Sequence, residues 1–237
     1  MSVLHCIGSS SRGNGYIIDV DGDRLLLECG VHKDLVLSKL DWKGDGISAL
    51  CSHRHKDHSL SIPTLQKYCI NVYSNEDVAL AYPGVVAIKP RKLYTIGNFR
   101  VMPLVVEHNV PNYAYVIDHP KIGRIVFATD CVDFPYNIKD TTTLMLECNY
   151  TIELLQASAE SGEAVIAGNE YHMEIKQFLK VVRRLNQPSL QRVVLLHLSD
   201  RFSCEHDYIK QTKDIVGGVD VYAANCDVDI PLDKSDF

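Results

Sequence analysis

Residues 51–58 read Cys-Ser-His-Arg-His-Lys-Asp-His, with three histidines and an aspartate inside six positions. Imidazole and carboxylate are the side chains that ligate divalent cations at neutral pH, so the stretch is a candidate metal loop. In an extended segment, residues two apart share a side, which groups His53, His55 and Asp57 and aims His58 elsewhere. One such loop can serve two neighbouring ions. Three further ligand types stand where apolar runs end: His108 after "PLVVE", Asp130 after "IVFAT" and His197 at the end of "RVVLL". Strand ends are rigid, so side chains there can meet a metal's geometric tolerance. A four-coordinate zinc with one open position takes three protein ligands, so seven candidates imply two ions. A consistent allocation gives one ion His53, His55 and His108, gives the other Asp57, His58 and His197, and lets Asp130 bridge them. Nitrogen-rich sets with some carboxylate suit zinc, with manganese and iron as alternatives. Two ions about 3.5–4 Å apart lower the pKa of a shared water and stabilise the attacking and leaving oxygens of a displacement. That is hydrolytic chemistry. His5, His32, His119 and His206 are isolated and read as surface or satisfied core positions.

The elements that must hold these residues follow from periodicity and turn chemistry. "SVLHCI", "GYIIDV" and "DRLLLEC" read as strands, the last two joined by the tight-turn dipeptide Asp21-Gly22. A short helix over 32–40 precedes the strand "ISALCS", and a helix over 59–68 follows the histidine loop. Further strands are expected at "INVYS", "FRVMPLVVE", "NYAYVID", "RIVFAT", "TLMLE", "RVVLLH" and "VDVYAA", with helices over 151–161, 173–186 and 205–215. Ile175, Phe178, Leu179, Val182 and Leu185 form a helical apolar stripe that reads as core contact. Hairpins followed by strand–helix alternation, repeated in both halves, suggest two packed sheets with helices outside.

With 237 residues, 46% hydrophobic and 23% charged, the chain suits one domain over 1–237. No linker, biased tract or repeat divides it. The eight cysteines form no CxxC pair and read as reduced, mostly buried thiols of a cytosolic protein. No leader pattern and no bilayer-length apolar run is present, so a cytoplasmic protein without membrane contact is expected. A net charge of -6 argues against a wide basic face that grips duplex nucleic acid. Lys89, Arg91, Lys92, Arg183 and Arg184 read as solvated surface charge.

The motif HxHxDH, standing here as His53, His55, Asp57 and His58, resembles that of the metallo-β-lactamase-fold hydrolases. The resemblance covers essentially the whole chain and implies an αβ/βα four-layer sandwich of two mixed sheets with helices outside. "GSSSRGNGYIID", "LLLECG", "VFATD", "ECNY" and "LLHLSDR" look like the WalJ/YycJ-type, exonuclease-like branch and its phage-encoded relatives. "LLHLSDR" is also similar to a stretch of tRNase Z. A bacterial or phage origin is therefore expected. The resemblance implies a dinuclear zinc phosphodiesterase, in which a metal-activated hydroxide attacks a phosphodiester of a nucleic-acid end or single strand. A small cyclic nucleotide, the substrate of phage anti-Pycsar proteins with this fold, is the alternative, and thioester or lactone hydrolysis is the second. Asp57 orients the nucleophile in this reading, and His172 in "NEYHMEI" protonates the departing oxygen. Where relatives carry an aspartate that braces the ligand loop, this chain has Glu28 in "LLLECG". "GSSSRGN" supplies hydroxyls and backbone amides that can approach a phosphate, which makes Ser11 and Asn14, with Ser199 of "LLHLSDR", candidate substrate contacts. Only 22 positions separate His108 from Asp130, too few for the protruding arm with which tRNase Z holds tRNA. A homodimer is among the assemblies the branch allows.

Overall fold

The computed structural model describes residues 1–40, 42, 46–160, 169–225 and 227–233; of the expectations above, position 161 of one helix and Cys226 lie outside them. Strands β1 (Ser2–Ser10), β2 (Gly13–Val20) and β3 (Asp23–Leu27) form an antiparallel meander. Asp21 and Gly22 join the last two with φ of 53° and 95°, the two positive values that a tight hairpin turn needs. From β3 the sheet continues in parallel through β4 (Ile47–Leu50), β5 (Asn71–Ser74) and the two-residue β6 (Val86–Ala87).

The second sheet repeats this plan. β7 (Tyr94–Ile96), β8 (Phe99–Val106), β9 (Asn112–His119) and β10 (Gly123–Ala128) are antiparallel. β11 (Thr141–Glu147), β12 (Arg192–Leu196) and β13 (Asp220–Ala223) then add in parallel. A last strand, β14 (Val228–Pro231), crosses back to pair with β1, so each sheet holds seven strands.

Leu4, Tyr16, Leu27, Phe99, Tyr115, Phe127 and Leu196 fill the space between the sheets. The outer face of the first sheet carries α1 (Lys33–Lys39) and α3 (Ile62–Lys67), packed through Val36 and Leu65. After β11 comes α5 (Ile152–Glu160), the helix expected near 151–161, and the outer face of the second sheet is covered by α6 (Ile175–Leu185) and α7 (Glu205–Val216), through Phe178, Val182 and Tyr208. The result is the four-layer sandwich expected from the sequence. The stripe on α6 is buried as expected, with Val181 added and Leu179 only partly covered. Among the described residues, no helix is long and apolar enough to cross a membrane. Of the described cysteines, five are buried and only Cys69 is exposed.

The helix expected over 59–68 is two helices. A four-residue α2 (Lys56–Ser59) starts directly after His55 inside the histidine loop, and α3 starts afresh at Ile62 with Pro63 in its first turn. Proline lacks the N–H an ongoing helix would use, so it suits a new start. Asp57 and His58 are therefore helical neighbours rather than members of an extended segment. The short α4 (Glu76–Ala81) and the strands β6, β7 and β14 were too brief to show a period in the sequence.

Candidate metal centre

The site lies where strands of both sheets run out at one edge of the sandwich. β4 delivers His53, β8 delivers His108, β10 delivers Asp130 and β12 delivers His197. Ala128 pairs with Leu146, and Glu147 with Leu196, so the ends of three parallel strands stand level. Crevices beyond the carboxyl ends of parallel strands are the usual ligand position in such sheets. Three residues at these ends take left-handed backbone conformations: Glu28 at φ 66°, Asp130 at 49° and His197 at 53°. For non-glycine residues this is uncommon and costs of order 1–3 kcal/mol each. Each bends the chain sharply just as it leaves its strand.

Seven side chains converge into two groups that share one aspartate. In the first, His55 Nδ1 lies 3.0 Å from His53 Nε2 and 3.3 Å from His108 Nε2. Asp130 Oδ2 lies 3.8 Å from His53 Nε2 and 4.0 Å from His108 Nε2. In the second, His58 Nε2 is 3.3 Å from both Asp57 Oδ2 and Asp130 Oδ1, and His197 Nε2 is 3.8 Å from Asp57 Oδ2. Tetrahedral zinc with bonds of about 2.0–2.1 Å sets its donors roughly 3.3 Å apart, so both groups have ligand spacing. The two oxygens of Asp130 face different groups, the disposition a bridging carboxylate requires. Asp57 and His58 reach the same group because successive side chains on a helix turn by only about 100°, whereas they alternate by about 180° in the extended chain argued from the sequence.

The donor chemistry fits cations. His197 Nε2 is buried and has no hydrogen-bond partner among the described residues. Burial holds His53, His55 and His108 below the ordinary imidazole value, with His58 adding to the effect at His53, so their ligating neutral forms are favoured. At His58 burial again opposes the cation, but Asp130 and Glu28 outweigh it and raise the group well above its usual value. Asp130 moves the other way: His197 and His58 overcome burial and hold its carboxyl well below the usual range. The second group therefore demands positive charge at its centre.

Neighbouring groups aim the ligands. The distal ring nitrogens of three histidines are engaged: His53 Nδ1 lies 2.9 Å from Ser52 Oγ, His108 Nδ1 3.3 Å from the Tyr171 carbonyl and His197 Nδ1 3.1 Å from Glu147 Oε1. Such contacts fix ring orientation and tautomer. Glu28 accepts the Ser52 N–H and sets Oε2 3.2 Å from His58 Nδ1, within ion-pair distance though out of hydrogen-bond alignment. Its loop holds α2 directly. Cys29 N donates to the His58 carbonyl and Ser61 N to the Cys29 carbonyl, at 2.8 Å each. A Cβ on Gly30 would lie 1.5 Å from the Asp57 carbonyl oxygen, so only glycine permits that crossing.

Sequence reasoning missed a set of buried polar residues. Glu147, wholly buried at the end of β11, accepts from His172 Nδ1 at 2.6 Å and from the Cys131 N–H at 2.8 Å. Four buried asparagines, of which the sequence singled out only Asn14 and that as a substrate contact, clasp carbonyls at the ligand turns: Asn14 at Asp57, Asn75 at Ser52, Asn112 at Asp130 and Asn149 at His197. Their signal was a lone polar residue inside or beside an apolar run, as in "LMLECNY".

His172 sits between the two groups, its ring 5.9 Å from that of His108 and 5.2 Å from that of His197. Burial lowers its pKa, but the Glu147 carboxylate more than offsets that and raises it to about 9. Asp130, Glu147, His172 and His197 also lie close enough together to suggest a third ion. Both oxygens of Glu147 are already engaged, Oε1 by His172 and Oε2 by the Cys131 and Met173 N–H groups, which makes this group a poorer cation site than the other two. Of the candidate substrate contacts, Ser11 is exposed on the β1–β2 turn. Ser199 is half-buried and accepts the Phe202 N–H. Asn14 is wholly buried, its amide nitrogen shared among the Ser10 and Asp57 carbonyls and, at 3.1 Å, His58 Nε2, which places it under the ligand loop rather than facing open space.

This architecture is the metallo-β-lactamase fold. It superposes on the metallo-β-lactamase fold protein YhfI from Bacillus subtilis with a TM-score of 0.74 and 20% identity, covering 98% of this chain and 100% of that one. The short form of human tRNase Z matches with a TM-score of 0.65 and 15% identity over 98% and 99% of the two chains. In sequence, a ribonuclease Z from Clostridium kluyveri is 29% identical over 126 residues, 43% of this chain and 42% of that protein. The match thus spans less than half the length of that relative. No family model matches the chain.

Proposed function

We propose that the protein is a dinuclear metal-dependent phosphodiesterase acting on a nucleic-acid end or single strand. The observation that carries this reading is the pair of donor groups sharing Asp130, with the His172–Glu147 pair set between them. The likeness to ribonuclease Z and tRNase Z supports it, since both names describe RNA-cleaving enzymes. His53, His55, His108 and one oxygen of Asp130 would hold one cation; Asp57, His58, His197 and the other oxygen would hold the second, with zinc best matched to these donors. Such a pair supplies an activated water nucleophile and neutralises charge developing at phosphorus.

The chain's own residues do the rest. His172 is held in its acid form by Glu147 and carries the proton that a departing nucleoside oxygen must receive. With Nδ1 committed to Glu147, its Nε2 is the atom left to deliver that proton. Asp57 adds a carboxylate oxygen beside the second group, where it orients the incoming nucleophile. The net charge of -6 leaves no broad basic face, which favours short or single-stranded substrates over a long duplex.

A substrate panel on metal-loaded protein tests this reading: single- and double-stranded DNA, RNA, cyclic mononucleotides, bis(p-nitrophenyl) phosphate and a glutathione thioester. Turnover of single strands or strand ends is expected. Turnover confined to cyclic mononucleotides would move the substrate to small nucleotides, and turnover confined to the thioester would overturn the proposal.

A further inference from the structure

A cleft of about 680 Å³ opens beside the second donor group, between the β1–β2 turn and the loop that follows His197. None of the seven candidate ligands lines it, yet its wall is shared with the site. Ser9 Oγ, in that wall, accepts the His197 N–H at 2.8 Å, and Leu198 and Ser199 continue directly from His197. Gly13, also in the wall, packs on Gly30, the residue that passes under Asp57. The floor is apolar: Ile7, Val31, Leu35 and Ala224. The rim carries the hydroxyls of Ser9, Ser10, Ser199 and Ser203.

Charge decides what can occupy it. The basic side chains in the lining are Arg12, whose guanidinium is paired with Asp200 at 2.7 Å, and His32, whose Nδ1 lies 3.4 Å from the Asp34 carboxylate. Glu205 supplies a second carboxylate, which accepts from Asn225 Nδ2 at 2.7 Å. Two carboxylates against one guanidinium repel a phosphate group. Each carboxylate has a second oxygen with which to accept a hydrogen bond. An apolar floor with a hydroxyl and carboxylate rim matches a nucleobase and its sugar: the ring stacks on the floor, and the carboxylates take exocyclic amino hydrogens, as they do from cytosine N4. The volume falls in the range of small-ligand pockets, about 300–1,000 Å³, and is far too small for duplex.

We propose that this cleft is a subsite for the nucleoside flanking the scissile phosphodiester, and that Asp200 and Glu205 make it prefer bases with an amino group over uracil or thymine. The proposal rests on the phosphodiesterase reading and narrows its substrate to a strand whose flanking base is splayed into the cleft.

Calorimetric titration with cytidine, uridine and inorganic phosphate tests it without turnover. Cytidine should bind about tenfold more tightly than uridine, as one good base contact is worth roughly 1–3 kcal/mol. Asp200→Asn and Glu205→Gln together, both at the rim, should collapse that preference. Ser203→Trp, which fills the cleft, should weaken cytidine about tenfold, with a thermal melt to establish that the variant is folded. Equal affinity for cytidine and uridine, tighter binding of phosphate alone, or no binding of either nucleoside would overturn the proposal. Hydrolysis of bis(p-nitrophenyl) phosphate, which has no base, reads the chemistry separately. Selective cytidine binding without any phosphodiester turnover would establish a base-selective nucleoside site in the cleft but overturn both the phosphodiesterase reading and the cleft's place beside a scissile bond.

Discussion

Replacing His172 by alanine should separate substrates by their leaving group. The Glu147 carboxylate raises the imidazole to about 9, so without bound cations the protonated form prevails at neutral pH. Bound cations nearby disfavour the imidazolium and pull that value down, which places the basic limb of the pH–rate profile at or below pH 9. A positioned general acid contributes about 10²–10⁴-fold, or roughly 3–5 kcal/mol of barrier. That help is needed where the departing group is a nucleoside alkoxide. It is hardly needed for p-nitrophenolate, which leaves without a proton. The assay is kcat for a dinucleotide and for bis(p-nitrophenyl) phosphate, on wild type and His172→Ala protein of equal metal content. The dinucleotide should lose about 10²–10⁴-fold and the activated ester less than about tenfold, and the basic limb for the dinucleotide should vanish. Equal losses on both substrates would mean that His172 acts only through structure, and no loss on either would remove it from the reaction.

Glu147→Gln should move the basic limb to lower pH, because the carboxylate that raises His172 is gone. The same substitution should destabilise the fold by about 1–3 kcal/mol in a denaturant melt, since an amide cannot accept from both the His172 side and the Cys131 N–H. In the parent, the stability His172 contributes is complete below its unfolded pKa of about 6.5 and is lost as pH rises through about 9. That loss should be absent from Glu147→Gln. Gly30→Ala places a Cβ 1.5 Å from the Asp57 carbonyl, so it should lower both the melting temperature and the metal content, whereas an unchanged metal content would refute the crossing as drawn. Chelation should lower the melting temperature of loaded protein, by an amount equivalent to about 2.7 kcal/mol for each site if the metal had been present at a hundred times its Kd. Asp130→Asn should reduce the metals found by elemental analysis from two per chain to one or fewer, because both groups use its oxygens.

Much of the layered architecture was legible because the signals were local. Apolar alternation marked the long strands, and the stripe from Ile175 to Leu185 marked the helix that covers the second sheet. The short elements were not legible. β6 has two residues and β7 three, too few for any period, and each is held by hydrogen-bonded pairing with a longer strand, β6 with β5 and β7 with β8. The helical start at His55 was missed because a loop of ligands carries no apolar rhythm, and its helix is fixed by contacts from Cys29 and Gly30. Glu147 was hidden for a similar reason: one carboxylate at the end of the apolar strand "TTTLMLE" gives no sign of which histidines fold onto it.

The amino-acid order alone determined the donor types, their number and their places at the ends of apolar runs, because these are properties of residues and of short-range periodicity. Tertiary structure decided which oxygen of Asp130 faces which group and that His58 joins Asp57. It also decided that a buried glutamate keeps His172 protonated. Those outcomes depend on distances of 2.6 to 3.8 Å between residues up to 140 positions apart, and such distances exist only once the two sheets have closed on their common core.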